Sequence, residues 1–201
     1  MITQPMPTRT GRSYLVTHPP HDATLPTRHP NAPPVGTRIP PHYVKCFGCG
    51  PAQESGLNIV ATLGKGLKVL SEFTVTVDHQ GAPGLAHGGL LACAFDEALG
   101  ALNYLLQQPA VTVRLECDFR RPVPVGERLM IEAEIKGQKG RKMYGKATGH
   151  LSTLDGPVAV EATSLYIQVP IEHFGEFGRK EDIEWARADR TRMLRTYEIN
   201  P

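Results

Sequence analysis

The sequence predicts an α+β domain: one long apolar helix set against an antiparallel sheet of about six strands. Two observations carry this. Apolar and polar residues alternate in several separate stretches, the period of a half-buried strand. One segment departs from that pattern: from Leu90 to Gln107, Leu90, Leu91, Ala94, Ala98, Ala101, Leu102 and Leu105 recur at helical spacing. The order is strand, strand, helix, then four strands joined by tight turns, which makes a helix layer on a sheet layer.

Taken in order, residues 1–40 are rich in Pro, Thr, His and Arg and show no sustained periodicity. Such a segment buries too little surface to offset its ordering entropy. It is expected to be a mobile arm that wraps a partner subunit, with His18, His21 and His29 solvated. The folded domain spans 41–170 and opens near Tyr43. Gly56 to Leu63 is a first strand. Leu67, Val69, Ser71, Phe73, Val75 and Val77 alternate with a mainly polar set to give a second. A loop carrying Gly81, Pro83 and Gly84 leads to the helix. After Pro109, Val111, Val113, Leu115, Cys117 and Phe119 share one face of a strand, and Thr112, Arg114, Glu116, Asp118 and Arg120 share the other. Pro122 and Pro124 end it. Leu129 to Lys136, Arg141 to Leu151 and Val158 to Val169 complete the sheet. In the last strand the inward positions switch from even to odd between Ala162 and Leu165, which predicts a bulge there. Residues 171–201 form a charged extension with a helix over 180–197, whose apolar side includes Ile183, Ala186 or Trp185, and Met193-Leu194.

Composition narrows the function classes. The chain has 201 residues, 40% of them apolar, enough for one core with extensions. A net charge of +2 with both signs interspersed leaves no nucleic-acid footprint. No apolar run is read as approaching the ~20 residues of a membrane span. The N-terminus lacks the basic-then-apolar pattern of a secretory signal. Arg9, Arg12, Arg28 and Arg38 imitate a transit peptide, but the prolines oppose an amphipathic helix. The location expected is cytoplasmic.

Four cysteines are present, and Cys46 and Cys49 form C-x-x-C. Structural, metal-binding and redox readings are open. The structural one is favoured. No second pair has zinc-ribbon spacing and no His-x3-His follows. A redox pair would stand at a strand-to-helix turn, whereas Gly50-Pro51 leads toward a strand.

The chemistry centres on His87-Gly88-Gly89. Two glycines at a helix start leave backbone N–H groups uncovered, and these lack partners inside the helix. With the macrodipole they suit an oxyanion. Asp96 follows about two turns later among small and apolar neighbours. An oxyanion site and a carboxylate on one short segment suggest acyl transfer to water.

The run Gln80-Gly81-Ala82-Pro83-Gly84-Leu85-Ala86-His87-Gly88-Gly89, followed by Asp96, resembles the signature of PaaI-like hotdog-fold acyl-CoA thioesterases and the related thioesterase superfamily members. The resemblance continues through Thr112–Pro122, Gly140-Arg141-Lys142 and Glu161–Leu165, and covers roughly Cys46 to Val169. It implies a hotdog fold, a sheet wrapped round its central helix. It implies hydrolysis of a fatty or aryl acyl-CoA to free acid and CoA, with Asp96 as base or nucleophile and Gly88 and Gly89 N–H as oxyanion hole. His87 positions the thioester, and Thr112 helps to hold the water. Gln80 adds a polar contact, while Arg120, Arg121, Arg141 and Lys142 meet the CoA phosphates. No cofactor and no metal are implied, since relatives carry a CFGCG-like segment without metal. The site lies between subunits of a homodimer, often paired into a tetramer as a dimer of dimers.

The alternative is a non-catalytic hotdog module that binds acyl-CoA or partner proteins; the intact Asp96 argues against it. A hotdog hydratase would need an Asp and His pair that is not found after the helix start. A serine hydrolase is disfavoured because G-x-S-x-G is absent.

Overall fold

In the computed structural model, which describes residues 15–188, the chain enters the sheet at β1 (Arg38–Ile39), β2 (Val60–Leu63) and β3 (Lys68–Thr74). A small hairpin, β4 (Gln80–Ala82) and β5 (Leu85–Ala86), delivers it to α1 (Gly88–Gly100) and a short α2 (Asn103–Leu106). Four long strands follow: β6 (Ala110–Phe119), β7 (Arg128–Lys139), β8 (Lys142–Leu151) and β9 (Val158–Gln168). Helices α3 (Glu172–Phe177) and α4 (Lys180–Ala188) complete the described chain. The sheet has seven antiparallel strands in the order β1-β2-β3-β7-β8-β9-β6, one more than expected because β1 adds two residues at its edge. Strand β6 forms the other edge.

The core lies between α1 and the inner face of the sheet. Leu91, Ala94, Phe95, Ala98 and Leu99 of α1 are buried, as are Val69 and Phe73 of β3 and Leu129, Ile131, Ala133 and Ile135 of β7. Each large side chain so buried stabilises the fold by about 1.5–3 kcal/mol. The helix comes close to β8 because two strand positions carry no side chain. A Cβ at Gly149 would press on the Phe95 ring at 2.7 Å, and one at Gly145 on Leu99 at 2.9 Å. Gly88–Leu106, taken as one stretch of 19 residues with hydropathy 1.3, is long and apolar enough to cross a membrane, contrary to the sequence reading. In this fold the stretch is the core helix and 61% of its apolar window is buried.

The expected helix differs in detail. It begins at Gly88, with His87 as N-cap, and tightens after Gly100. Leu102, Tyr104 and Leu105 N–H donate to carbonyls three residues back, which separates α1 from α2. Gln107, at φ 54, ends α2 in the left-handed region, and Pro109 follows.

The bulges also differ from expectation. One lies in β6, where Thr112 pairs with Tyr166 but Arg114 pairs with Leu165, so Val113 is the extra residue. A second lies in β9, where Val160 and Val158 face the consecutive Gly149 and His150, so Ala159 is extra, and a third in β7, where Ile135 and Gly137 face the consecutive Gly145 and Tyr144, so Lys136 is extra. The even positions of β9 stay buried through Ala162, Ser164 and Tyr166, and no switch occurs between 162 and 165. Leu165 is buried as well, on the opposite face, which is why the sequence pattern there reads as a change of side.

The described part of the N-terminal segment, residues 15–37, has no helix or strand, yet it packs against the domain, with His29 N–H donating to the Leu105 carbonyl at 2.8 Å. Thr17 Oγ1 donates to Glu116 and accepts from Thr163, both at 2.8 Å. Arg114 donates to the Leu15 carbonyl at 2.9 Å, and Thr24 bridges to Gln138. Residues 1–14, with Arg9 and Arg12, lie outside the described residues. At the other end α4 begins at Lys180 as expected, with Ile183 and Ala186 buried. Its expected continuation through Met193-Leu194 to Tyr197 also lies outside them.

Candidate active site

Asp96 is half-buried and held from two strands. Thr112 Oγ1 donates to its Oδ1 at 2.7 Å. The Tyr166 hydroxyl lies 2.8 Å from the Asp96 carbonyl and 3.0 Å from Oδ1, and donates to either. The bulge at Val113 explains how Thr112 gets there. Simple alternation puts Thr112 with Arg114 on the outer face. One extra residue reverses the facing of everything before it, so Ala110 and Thr112 turn toward the helix. Burial and the Asp96 charge push the Tyr166 phenol well above its usual range, so it stays a donor. These groups border a cavity of about 340 Å3. Ile39, Phe47, Ile59, Ala61, Ala101 and Tyr104 supply its apolar wall.

The N-terminus of α1 borders a different cavity, of about 440 Å3, lined by His87, Gly88, Leu91, Phe119 and Arg121 among others. His87 Nδ1 accepts from Gly89 N–H at 2.9 Å. That bond places the neutral ring's proton on Nε2 and engages the Gly89 donor within the chain. Leu90 and Leu91 N–H donate to the His87 carbonyl. Among the described residues, the cap therefore uses the N–H groups of Gly89, Leu90 and Leu91, and Gly88 N–H lies outside that set. The β4–β5 hairpin fixes this turn: His87 N–H donates to the His79 carbonyl, and Ala86 N–H to Val123.

The remaining expected site residues divide between the two ends. Arg121 lies beside the Gly88 cavity and donates to the Val158 carbonyl at 2.8 Å. Arg120 reaches the same cavity but pairs with Glu161 at 3.1 Å and Asp118 at 3.3 Å. Arg141 and Lys142 sit at the start of β8, where Lys142 pairs with Ile167 and Met143 with Tyr166, at the Asp96 end of the sheet. Gln80 is exposed and clasps its own loop. Its Nε2 donates to Val77 O, and its Oε1 accepts from Gly84 N–H. Gln80, the first residue of β4, therefore holds its own hairpin, where the sequence leads one to expect a polar contact to substrate.

Within one chain the two ends do not meet. Eight residues of helix separate Gly88 from Asp96, a rise of about 12 Å. Along β6 the eight residues from Thr112 to Arg120 span about 26 Å.

Two features escape the sequence reading. Tyr166 sits in an apolar strand pattern and reads as core. The other is a group of four side chains: His42, Cys46, Cys49 and Glu97 bring one ligand-type atom each within 4.8 Å of one another, at the rim of the Asp96 cavity. The signal available was His42 four residues before C-x-x-C, and Glu97 next to Asp96. Burial opposes charge on His42, but Cys46 and Glu97 raise its pKa to about 10. The bond from Cys49 lowers Cys46 to about 5, and the same bond with burial raises Cys49. Burial works to raise the Glu97 carboxyl, yet His42 and the thiols hold it below its usual range.

Comparison with known proteins agrees with this architecture. A sequence profile described as "Thioesterase superfamily" matches residues 83–153. Acyl-coenzyme A thioesterase THEM4 of Xenopus laevis is 31% identical over 90 residues, 45% of this chain and 40% of that protein, so the chain spans less than half of this relative's length. A solved thioesterase superfamily protein is 29% identical with a TM-score of 0.55, covering 61% of this chain and 62% of its own. The E. coli PaaI protein from the phenylacetic acid degradation operon is 19% identical, with a TM-score of 0.52 over 59% of this chain and 85% of its own, and shares the fold. By its profile match over residues 83–153 and its antiparallel sheet packed on one central helix, the chain is similar to the thioesterase superfamily and has the hotdog fold of its solved neighbours.

Proposed function

We propose that this domain is an acyl-CoA thioesterase whose site is completed by two copies of the chain. The observation that carries the reading is the separation of Asp96 from Gly88. A carboxylate held by two hydroxyl donors borders one cavity, and an uncovered helix N-terminus borders another. A second copy placing its Gly88 turn opposite Asp96 supplies what each half lacks. Strand β6, at the sheet edge and carrying Thr112 at one end and Phe119 at the other, offers unpaired backbone groups for such a dimer. A dimer of dimers extends the same logic.

In the reaction, Gly88 N–H from one copy polarises the thioester carbonyl and stabilises the oxyanion. Asp96 of the other copy takes a proton from water, which attacks the carbonyl carbon; the C–S bond breaks and the CoA thiolate leaves. In the covalent version Asp96 itself attacks and water then cleaves the anhydride. Thr112 and Tyr166 both reach Oδ1, and Oδ2 is the oxygen assigned to act on the water or the carbonyl. His87 offers Nε2–H beside the reacting carbonyl. The apolar wall of the 340 Å3 cavity receives the acyl group, fatty or aryl. Arg121 meets the CoA phosphates, with Arg120, Arg141 and Lys142 as further basic contacts. The thioesterase names of its relatives support the substrate class.

The test is CoA thiol release from acyl-CoAs, acetyl to palmitoyl plus phenylacetyl, by wild type and Asp96→Asn. Turnover lost in the variant supports the reading. Turnover that survives removes Asp96 from the mechanism, and acyl-CoA binding without any turnover favours a binding module.

A further inference from the structure

We propose that His42, Cys46, Cys49 and Glu97 form a structural zinc site that clamps the β1–β2 loop onto α1 beside Asp96. The proposal rests on geometry. His42 Nδ1 lies 3.2 Å from Cys49 Sγ and 3.4 Å from Glu97 Oε1, and Cys46 Sγ lies 3.5 Å from Glu97 Oε2. Zinc bonds of usual length at tetrahedral angles put neighbouring S, N and O ligand atoms about 3.4–3.8 Å apart. With one atom taken from each residue, all four lie within 4.8 Å of one another, so small shifts bring them to the corners of a zinc tetrahedron. Thiolate and imidazole ligands suit zinc over the hard divalent ions. With four protein ligands the site is closed, which assigns it a structural role.

The surrounding backbone is shaped for the same arrangement. Cys46 and Cys49 sit on one tight turn, closed by Gly50 N–H donating to Cys46 O at 2.8 Å. Gly48 N–H points at Cys46 Sγ at 3.3 Å, the outer hydrogen bond a metal-bound thiolate uses. Gly50 is required by the backbone packed against it, and Gly48 leaves room for Glu97. A Cβ at Gly48 would collide with the Glu97 carboxylate, and one at Gly50 with the backbone of Val44 and Cys46. Leu57 and Ile59 N–H bond to Phe47 O and Gly48 O and anchor the turn toward the sheet. A disulfide or redox pair accounts for the cysteines alone. It gives no reason for a carboxylate and an imidazole to converge on them.

Binding releases the thiol protons, and any proton on His42, to solvent, so affinity rises with pH. The ion would fix Glu97 and with it the helix turn that carries Asp96. The inference is independent of the thioesterase reading.

The experiment is elemental analysis of the purified full-length chain under reducing conditions after incubation with excess zinc and desalting. Exchange of the site with Co2+ then provides an absorption spectrum. The expected result is about one zinc per chain, with visible d–d bands of tetrahedral intensity and a thiolate-to-metal charge-transfer band. Cys46→Ser and Cys49→Ser should lose the ion, and Glu97→Gln and His42→Ala should weaken it and alter the cobalt bands. Cys93→Ser and Cys117→Ser should leave both unchanged. Wild-type protein that is folded and reduced but holds no stoichiometric zinc overturns the proposal, and needs no variant to do so. A cobalt spectrum indifferent to Cys46→Ser and Cys49→Ser also overturns it.

Discussion

The two ends of α1 are built from opposite materials. At the Asp96 end, charge is gathered and restrained: a half-buried carboxylate takes bonds from Thr112 and Tyr166, and Glu97 beside it faces His42, Cys46 and Cys49. At the Gly88 end there is no carboxylate among the lining residues, only backbone at a helix start capped by His87 and flanked by Phe119 and Arg121. One end presents a carboxylate that can take a proton; the other presents N–H donors and partial positive charge. Hydrolysis of a thioester needs both at one carbonyl, and the helix holds them about 12 Å apart. On the proposed reading neither half is a complete site, and a second copy of the chain brings the two together.

Several measurements would break or sharpen this contrast. The largest effect is expected at the charged end. Asp96→Asn should reduce kcat by about 10²–10⁴-fold with an unchanged circular dichroism spectrum; a smaller fall would deny Asp96 its role. At the backbone end, Gly88→Pro removes one N–H at the first helical position, where proline is tolerated. His87 before it is already extended, with φ −71° and ψ 130°, and a Cβ at Gly88 meets only Phe119 at 3.6 Å. Rate should fall about 10²–10³-fold with little change in Tm. Equal loss in Gly88→Ala, which keeps the N–H, would point to shape rather than to the donor.

Smaller effects follow. Tyr166→Phe should lower stability by about 1–3 kcal/mol in urea titration, since it deprives the buried Asp96 carbonyl region of its donor. Thr112→Val should cut kcat about tenfold while leaving stability nearly unchanged. Arg121→Ala should raise KM for acyl-CoA about tenfold and leave an acyl-pantetheine substrate unaffected. Least affected should be Cys93→Ala. Cys93 borders the Asp96 cavity, but burial, with the Asp96 and Glu97 charges, pushes its thiol up to about 11. It is therefore protonated at neutral pH, and its alkylation by iodoacetamide should be slow near pH 7 and accelerate as pH rises toward 11.

Local signals made most of the fold legible, and long-range convergence hid the rest. Alternation and helical spacing locate the long strands and the central helix because each buries one face. The His87-Gly88-Gly89 turn and Asp96 are readable because the residues lie on one segment. Thr112 reads to the wrong face because a single extra residue, Val113, reverses the strand and leaves no mark in an alternating sequence. Tyr166 reads as core because its hydroxyl partner lies 70 residues away. The grouping of Glu97 and His42 with the cysteines arises only when the β1–β2 loop folds over α1, 51 residues distant from Cys46 in the case of Glu97. Sequence spacing alone sees C-x-x-C and stops.

The most direct test mixes the two disabled chains. Asp96→Asn and Gly88→Pro subunits, each nearly inactive alone, are co-expressed with different tags and the mixed dimers purified. Each mixed dimer holds one site with an intact Asp96 opposite an intact Gly88, so the account predicts recovery to about half of the wild-type rate per dimer. A mixed dimer no more active than its parents, with both chains shown present, would contradict a site shared between copies.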